Sequence, residues 1–366
     1  MTISFKRTAS TLGLLAATSM ALVACNEGGQ AAGGANGEAA GTQSDVSGNL
    51  VGEGASSQQN AMDVFGVAFN TATGGNANLS YTASGSGAGQ KAFIGGQAAF
   101  AGSDSPLDEE QQAQANERCG GNEAWNLPMV IGPVAIAYNL EGVDELNLSV
   151  ETVAQIFKGE ITKWNDDAIA AENEGVELPD KDIQVIYRSD ESGTSENFQK
   201  FLAASTGNWD SEGKAFPQAV GTGANGSSGV ATEVSGNDGA ITYVESGFAT
   251  DMGLGVANID FGNGPVALNN DSVVKTLDNL EFTTEGNNMV VDAEKLFASD
   301  AEGAYPLILT TYEIVCSAGY DEETQKLVKA FMQTILDNQN ADLESRGYVP
   351  VSGAHLERLQ AAVDAL

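Results

Sequence analysis

"IQVIYRSDESGTSENFQKFL", residues 183–202, passes from a largely apolar run through a glycine-bearing turn into a second apolar pattern. Residues 183–187 are short, branched and apolar, which suits a strand covered on both faces. Phe198, Phe201 and Leu202 fall at i, i+3 and i+4, the spacing of a helix that buries one side. The same step from strand to helix recurs on either side. Residues 78–84 predict a strand and residues 89–96 a short helix; residues 98–102 predict a second strand, followed by an acidic helix capped at Ser105 and Pro106. Val153, Ile156 and Phe157 mark a helix capped by Ser149 and ended by Gly159. Residues 239–246 read as a further strand. Two amphipathic helices carry Leu327, Val328, Phe331 and Ile335, then Leu356, Leu359, Val363 and Leu366. This alternation predicts an α/β fold with mostly parallel central sheets. The 366 residues exceed what one core serves, so two lobes are expected, joined by the long apolar runs 129–140 and 305–316.

Asp and Glu number 50 against 16 Lys and Arg, for a formal charge of −34. Nucleic-acid binding needs clustered basic residues, so that class is excluded, as is binding to anionic lipid headgroups. The acidity reads as a device for solubility. Lys6 and Arg7, the apolar stretch 11–23 and LVAC at 22–25 predict a secretory signal over residues 1–24. LVAC resembles the lipobox of bacterial lipoproteins, which implies lipidation of Cys25, although a plain cleaved signal with an adventitious cysteine has the same outline. Residues 26–47 are Gly, Ala and polar residues, so 25–47 is expected to be a flexible tether from a lipid anchor on the outer face of the cell membrane. Cys119 and Cys316 form an even pair in an exported chain; a disulfide is expected, two free buried thiols being the other reading.

Three junctions could carry chemistry. At residues 188–194 a strand ends at Arg188, and a helix starts beside Ser192, Gly193 and Thr194. Unpaired N–H groups and the helix dipole make such a start an anion site, to which two hydroxyls and a guanidinium fork add donors. The same residues also read as an ordinary N-cap with a surface arginine. SGSGAGQKAF (84–93) repeats the layout with Ser86 at the helix start; Gly85 and Gly87 fit a dinucleotide fingerprint, but Gln90 stands where its last glycine belongs. AAFAGSDSPL (98–107) places Asp104 just beyond a strand, as a helix cap or as a proton acceptor. A carboxylate among donors would select an oxyanion that still carries a proton, such as phosphate, over fully ionised sulfate.

GSGAGQKAF, AAFAGSDSPL, IFKGEITKWND, YRSDESGTSENF, GAITYVE and YPLILTTYEIV stand in the order found in the phosphate-binding proteins of bacterial phosphate ABC importers, the PstS type, which this chain resembles over roughly residues 48–350. The resemblance implies the two-lobed periplasmic-binding-protein fold of type II, with 48–132 and 306–366 in lobe 1 and 133–305 in lobe 2. It implies phosphate contacts at Ser86, Asp104, Arg188, Ser192, Gly193 and Thr194. The family's N-terminal motif, Gly-Ala-Gly-Ala-Thr-Phe-Pro, reads GEGASSQQN here (52–60). Ser56 replaces the threonine hydroxyl, Ser57 offers its backbone N–H, and Gln58 stands for the proline. The implied protein is a monomeric receptor, without cofactor or metal, that closes on inorganic phosphate and delivers it to the transmembrane subunits of a permease.

The rival classes are a phosphate-transforming enzyme such as a phosphatase on the same fold, and a receptor for another oxyanion. A serine hydrolase needs a base, and the single histidine, His355, is expected to cap the last helix or lie on the surface. Trp125 and Trp164 are expected to pack in the core or on a lobe surface.

Overall fold

The structure, a computed structural model, describes residues 45–217, 220–299 and 301–366. The signal, Cys25 and the tether through residue 44 lie outside the described residues. The strands are β1 (Gly48–Gly54), β2 (Ala77–Thr82), β3 (Phe100–Ser103), β4 (Ala124–Asn139), β5 (Asn147–Ser149), β6 (Gln184–Arg188), β7 (Thr222–Ala224), β8 (Ala240–Glu245), β9 (Gly255–Val256), β10 (Asn258–Asp260), β11 (Pro265–Val266) and β12 (Ile308–Cys316). The main sheet runs β2-β1-β3-β12-β4-β8-β6-β7, with β9 added beside β4.

Pairing is parallel within each end of this sheet: β1 with β2 and β3, and β6 with β7 and β8. The centre is antiparallel, because β4 and β12 run in opposite senses and β4 pairs against β8. Parallel order therefore belongs to the two ends, and the long apolar runs supply the mixed middle. Residues 124–133 of β4 pair with β12, whereas residues 134–139 pair with β8. One strand thus serves both ends of the sheet, as expected of a crossing segment. Every residue of β12 is buried, Thr310, Thr311 and Glu313 included, as suits a strand covered on both faces. The β4–β12 register shifts between Thr311 and Tyr312, next to the pairing of Tyr312 with Pro128, where a missing N–H favours an irregularity.

Each end of the sheet has its own aromatic packing. Phe331 meets Phe69 and Phe100 at centroid distances of 5.3 and 5.4 Å, and Phe198 meets Phe157 and Tyr243 at 4.9 and 4.5 Å. Trp125 and Trp164 are both buried. Cys119 and Cys316 are joined in a disulfide, with Arg118 lying over Phe93 and Tyr320 beside it.

Three expectations need correction. The acidic helix spans Glu109–Arg118 and is capped by Asp108 in a reciprocal capping box with Gln111, not by Ser105 and Pro106. Ser105 lies three residues before the cap position, and its hydroxyl donates to Glu196 at 2.6 Å. The helix after β2 begins at Ser86, where the junction reading places it, three residues ahead of the stretch 89–96. His355 neither caps nor lies free on the surface: Ser352 is the cap residue, and the imidazole packs edge-on against Phe282. Burial pushes that imidazole down to about 4.

Candidate functional site

In a sheet of this kind, loops and helix starts gather beyond the carboxyl ends of the parallel strands. Ser56 follows β1, Ser86 follows β2, Asp104 follows β3 and Arg188 ends β6. Ser56, Ser86 and Asp104 thus share one end of the sheet, and Arg188, with three strands between β3 and β6, joins them through side-chain contacts. Arg188 is 2 % exposed, and its fork is closed by Asp190, with Nε and Nη2 donating to Oδ1 and Oδ2 at 2.8 and 2.5 Å. Nη1 is left to face the other side, donating to Thr194 Oγ1 at 3.3 Å and Ser227 Oγ at 3.1 Å. Burial would depress the guanidinium, but the hydrogen bonds and charge of Asp190 outweigh it and hold Arg188 above its ordinary value. Burial would likewise raise Asp190, and Arg188 holds it below the usual carboxylate range.

The helix Gly193–Thr206 starts at this arginine, and Ser192 caps it by accepting from the Ser195 N–H at 3.1 Å. The Ser192 hydroxyl, expected as a free donor, thus spends its acceptor side on the cap. Gly193 has no side chain for a steric reason. A Cβ there would meet Ser86 Oγ, would lie 2.6 Å from Asp104 Cβ and would lie 2.8 Å from Asp104 Oδ2.

Asp104 is buried and accepts from three hydroxyls. Ser57 and Thr311 donate to Oδ1 at 2.6 and 2.8 Å, and Ser86 donates to Oδ2 at 3.3 Å. Burial, followed by the charge of Glu245, pushes Asp104 up to about 6, against the pull of Ser57, Thr311 and Arg188. Ser86 opens the helix Ser86–Ile94 and also accepts from the Asp104 N–H at 3.1 Å. Ser56 Oγ accepts from the Ser227 N–H at 3.0 Å and lies 3.2 Å from Ser227 Oγ. The Ser57 hydroxyl, which the sequence did not single out, joins the cluster through Asp104. Gln58, in the place of the family's proline, is buried and donates to Tyr81 and Glu313 at 3.2 and 3.4 Å.

All eight positions singled out in the sequence lie in one buried cluster, where the Gly193 backbone fits against Ser86 and Asp104. Four participants were not foreseen. Asp190 was readable, two residues after Arg188 at a strand end. Ser227 sits at the start of the helix Gly226–Gly236, and residues 221–230, GTGANGSSGV, repeat the strand, glycine and helix layout. Thr311 and Glu245 lie within or at the end of apolar strands, where nothing local marks them.

Three helix starts, several hydroxyls and one guanidinium nitrogen meet here with a carboxylate whose affinity for a proton is raised. That set can hold a small protonated oxyanion. Ser195, a hydroxyl the hydrolase reading would use, lies 2.6 Å from Tyr243 Oη, and the histidine it would need packs against Phe282. The acidic surface is screened beyond roughly 8 Å at physiological salt, whereas these donors act at contact distance.

The chain matches the PBP superfamily domain over residues 39–339. It is 42 % identical to the phosphate-binding protein PstS3 of Mycobacterium bovis over 98 % of this chain and 99 % of that one. It is 41 % identical to the phosphate-binding protein PstS 2 of Mycobacterium tuberculosis over 99 % of each. A solved high-affinity periplasmic phosphate-binding protein bound with phosphate superposes with a TM-score of 0.68 at 23 % identity, covering 86 % of this chain and 93 % of its own. A phosphate-binding protein from Stenotrophomonas maltophilia superposes with a TM-score of 0.64 at 22 % identity, covering 86 and 93 %. The architecture is therefore the two-lobed periplasmic-binding-protein fold, and the chain belongs to the PBP superfamily and, within it, to the family of PstS phosphate-binding proteins.

Proposed function

We propose that this chain is a receptor for inorganic phosphate serving an ABC-type importer, and that it binds without chemical turnover. The observation that carries the reading is the meeting of the Arg188 guanidinium and the Asp104 carboxylate within one buried cluster, linked through Thr194, Gly193 and Ser86. The names of the relatives support phosphate as the guest. Ser56, Ser57, Ser86, Ser192, Gly193 and Thr194 supply hydroxyl or backbone donors, Arg188 supplies Nη1, and Asp104 accepts the guest's P–OH proton. Lobe 1 comprises 48–132 and 306–366 and lobe 2 comprises 133–305; the change of partner along β4 after Pro133 supports this division. The lobes close on phosphate by hinge motion and release it to the permease.

The receptor acts outside the cytoplasm as a monomer, held to the outer face of the cell membrane by lipid on Cys25 and the tether after it. Among the described residues no helix is long and apolar enough to cross a membrane. Titration of the exported chain with phosphate and with a chromogenic phosphomonoester tests the reading. One phosphate bound per chain with no release from the ester is expected; steady hydrolysis of the ester would favour the enzyme.

A further inference from the structure

Glu245 ends β8 and occupies the N-cap position of the helix Ser246–Asp251, yet its side chain makes no capping hydrogen bond. The carboxylate turns into the cluster instead. Oε1 accepts the Thr194 hydroxyl at 2.7 Å, the residue is 1 % exposed, and Oε2 is buried without a hydrogen-bond partner. A carboxylate with half its acceptor capacity unused is costly to bury, and here it adjoins the proposed guest contact Thr194.

The ionisable groups around Glu245 are Asp104, Arg188 with its partner Asp190, Tyr348, and Tyr243 two residues back on the same strand. Arg188 is the one cation in this set, and Asp190 already occupies two of its nitrogens. Asp104 and Glu245 are therefore two carboxylates beside one guanidinium, two of whose nitrogens Asp190 already holds. A phosphate dianion enclosed with two carboxylates would repel both. A proton lying between phosphate and each carboxyl group removes that repulsion and fills an acceptor.

We propose that Glu245 is the second proton-accepting group of the site, so that the closed complex holds two protons among phosphate and the carboxyl groups of Asp104 and Glu245. The inference rests on the phosphate-receptor reading. In effect the site captures dihydrogen phosphate, with one P–OH turned to each acid. Above the second ionisation of phosphate, where the free ligand carries one proton, binding must then draw a proton from solution.

Calorimetric titration of the protein with inorganic phosphate, in alkaline buffers of contrasting ionisation heat, measures that proton directly. Uptake of about one proton per phosphate is expected, with affinity falling about tenfold per pH unit. In Glu245→Gln the amide oxygen can still accept from Thr194, and the expected result is no uptake and an affinity independent of pH in the same range. Native protein that binds phosphate with no uptake and a flat profile overturns the inference while leaving the receptor reading intact. Uptake that persists unchanged in Glu245→Gln also overturns it, by assigning the second proton elsewhere. Absence of phosphate binding at every pH removes the receptor reading itself.

Discussion

At the scale of single residues, Asp104 is the site group whose burial changes its proton affinity in a way that can be read from stability. Its folded value of about 6 lies above the unfolded 3.8, so burial favours the protonated acid. The stabilising contribution of that proton is fully present below the unfolded value and is lost as pH rises through the folded one. A rise of about two units corresponds to about 3 kcal/mol lost between pH 4 and pH 7 in the ligand-free protein. Asp104→Asn should abolish that slope, making the variant more stable than the parent at pH 7 but not at pH 4; denaturant unfolding at the two values checks it. Gly193 sits where a methyl group would meet Ser86 and Asp104. Forcing atoms into such a close-packed contact costs about 1–3 kcal/mol. Gly193→Ala should therefore lower the melting temperature of the ligand-free protein, where this contact is already made, and weaken phosphate binding by displacing Ser86 and Asp104.

At the scale of elements, local chemistry decides where helices begin and end. Ser149 accepts from the Thr152 N–H at 3.2 Å, and Gly159 ends the same helix in the left-handed region at φ 76°. Ser149→Ala should cost about 1 kcal/mol, read as a lower urea midpoint with an unchanged slope. This helix was legible in the sequence because cap, apolar face and terminator are all local. The Arg188 junction was legible for the same reason: strand, turn and helix lie within about twenty residues. The acidic helix was misplaced because two candidate caps, Ser105 and Asp108, stand three residues apart, and Gln111, three residues after Asp108, completes the capping box that decides between them. Glu245 and Thr311 were unreadable for a related reason. Their functional neighbours, Thr194 and Asp104, lie 51 and 207 positions away, so only the folded sheet brings them together.

At the scale of the whole molecule, chain segments from opposite ends of the sequence build one end of the sheet. β12 lies between β3 and β4, and the Cys119–Cys316 disulfide fastens the close of the acidic helix to the last residue of β12 across 197 positions. Closing so long a loop restricts the unfolded chain, and replacing both cysteines by serine should lower stability by about 3 kcal/mol or more. Phosphate affinity should remain within about threefold, since the bond lies outside the donor cluster; thermal unfolding and titration read the two effects separately. The central claim is that oriented donors hold a tetrahedral guest while Asp104 requires that it carry a proton. Paired phosphate and sulfate titrations of the parent and of Asp104→Asn test this most directly. The account predicts strong preference for phosphate in the parent and a gap narrowed by at least about tenfold in the variant, whose amide can donate to either anion. An unchanged ratio of the two affinities would contradict it.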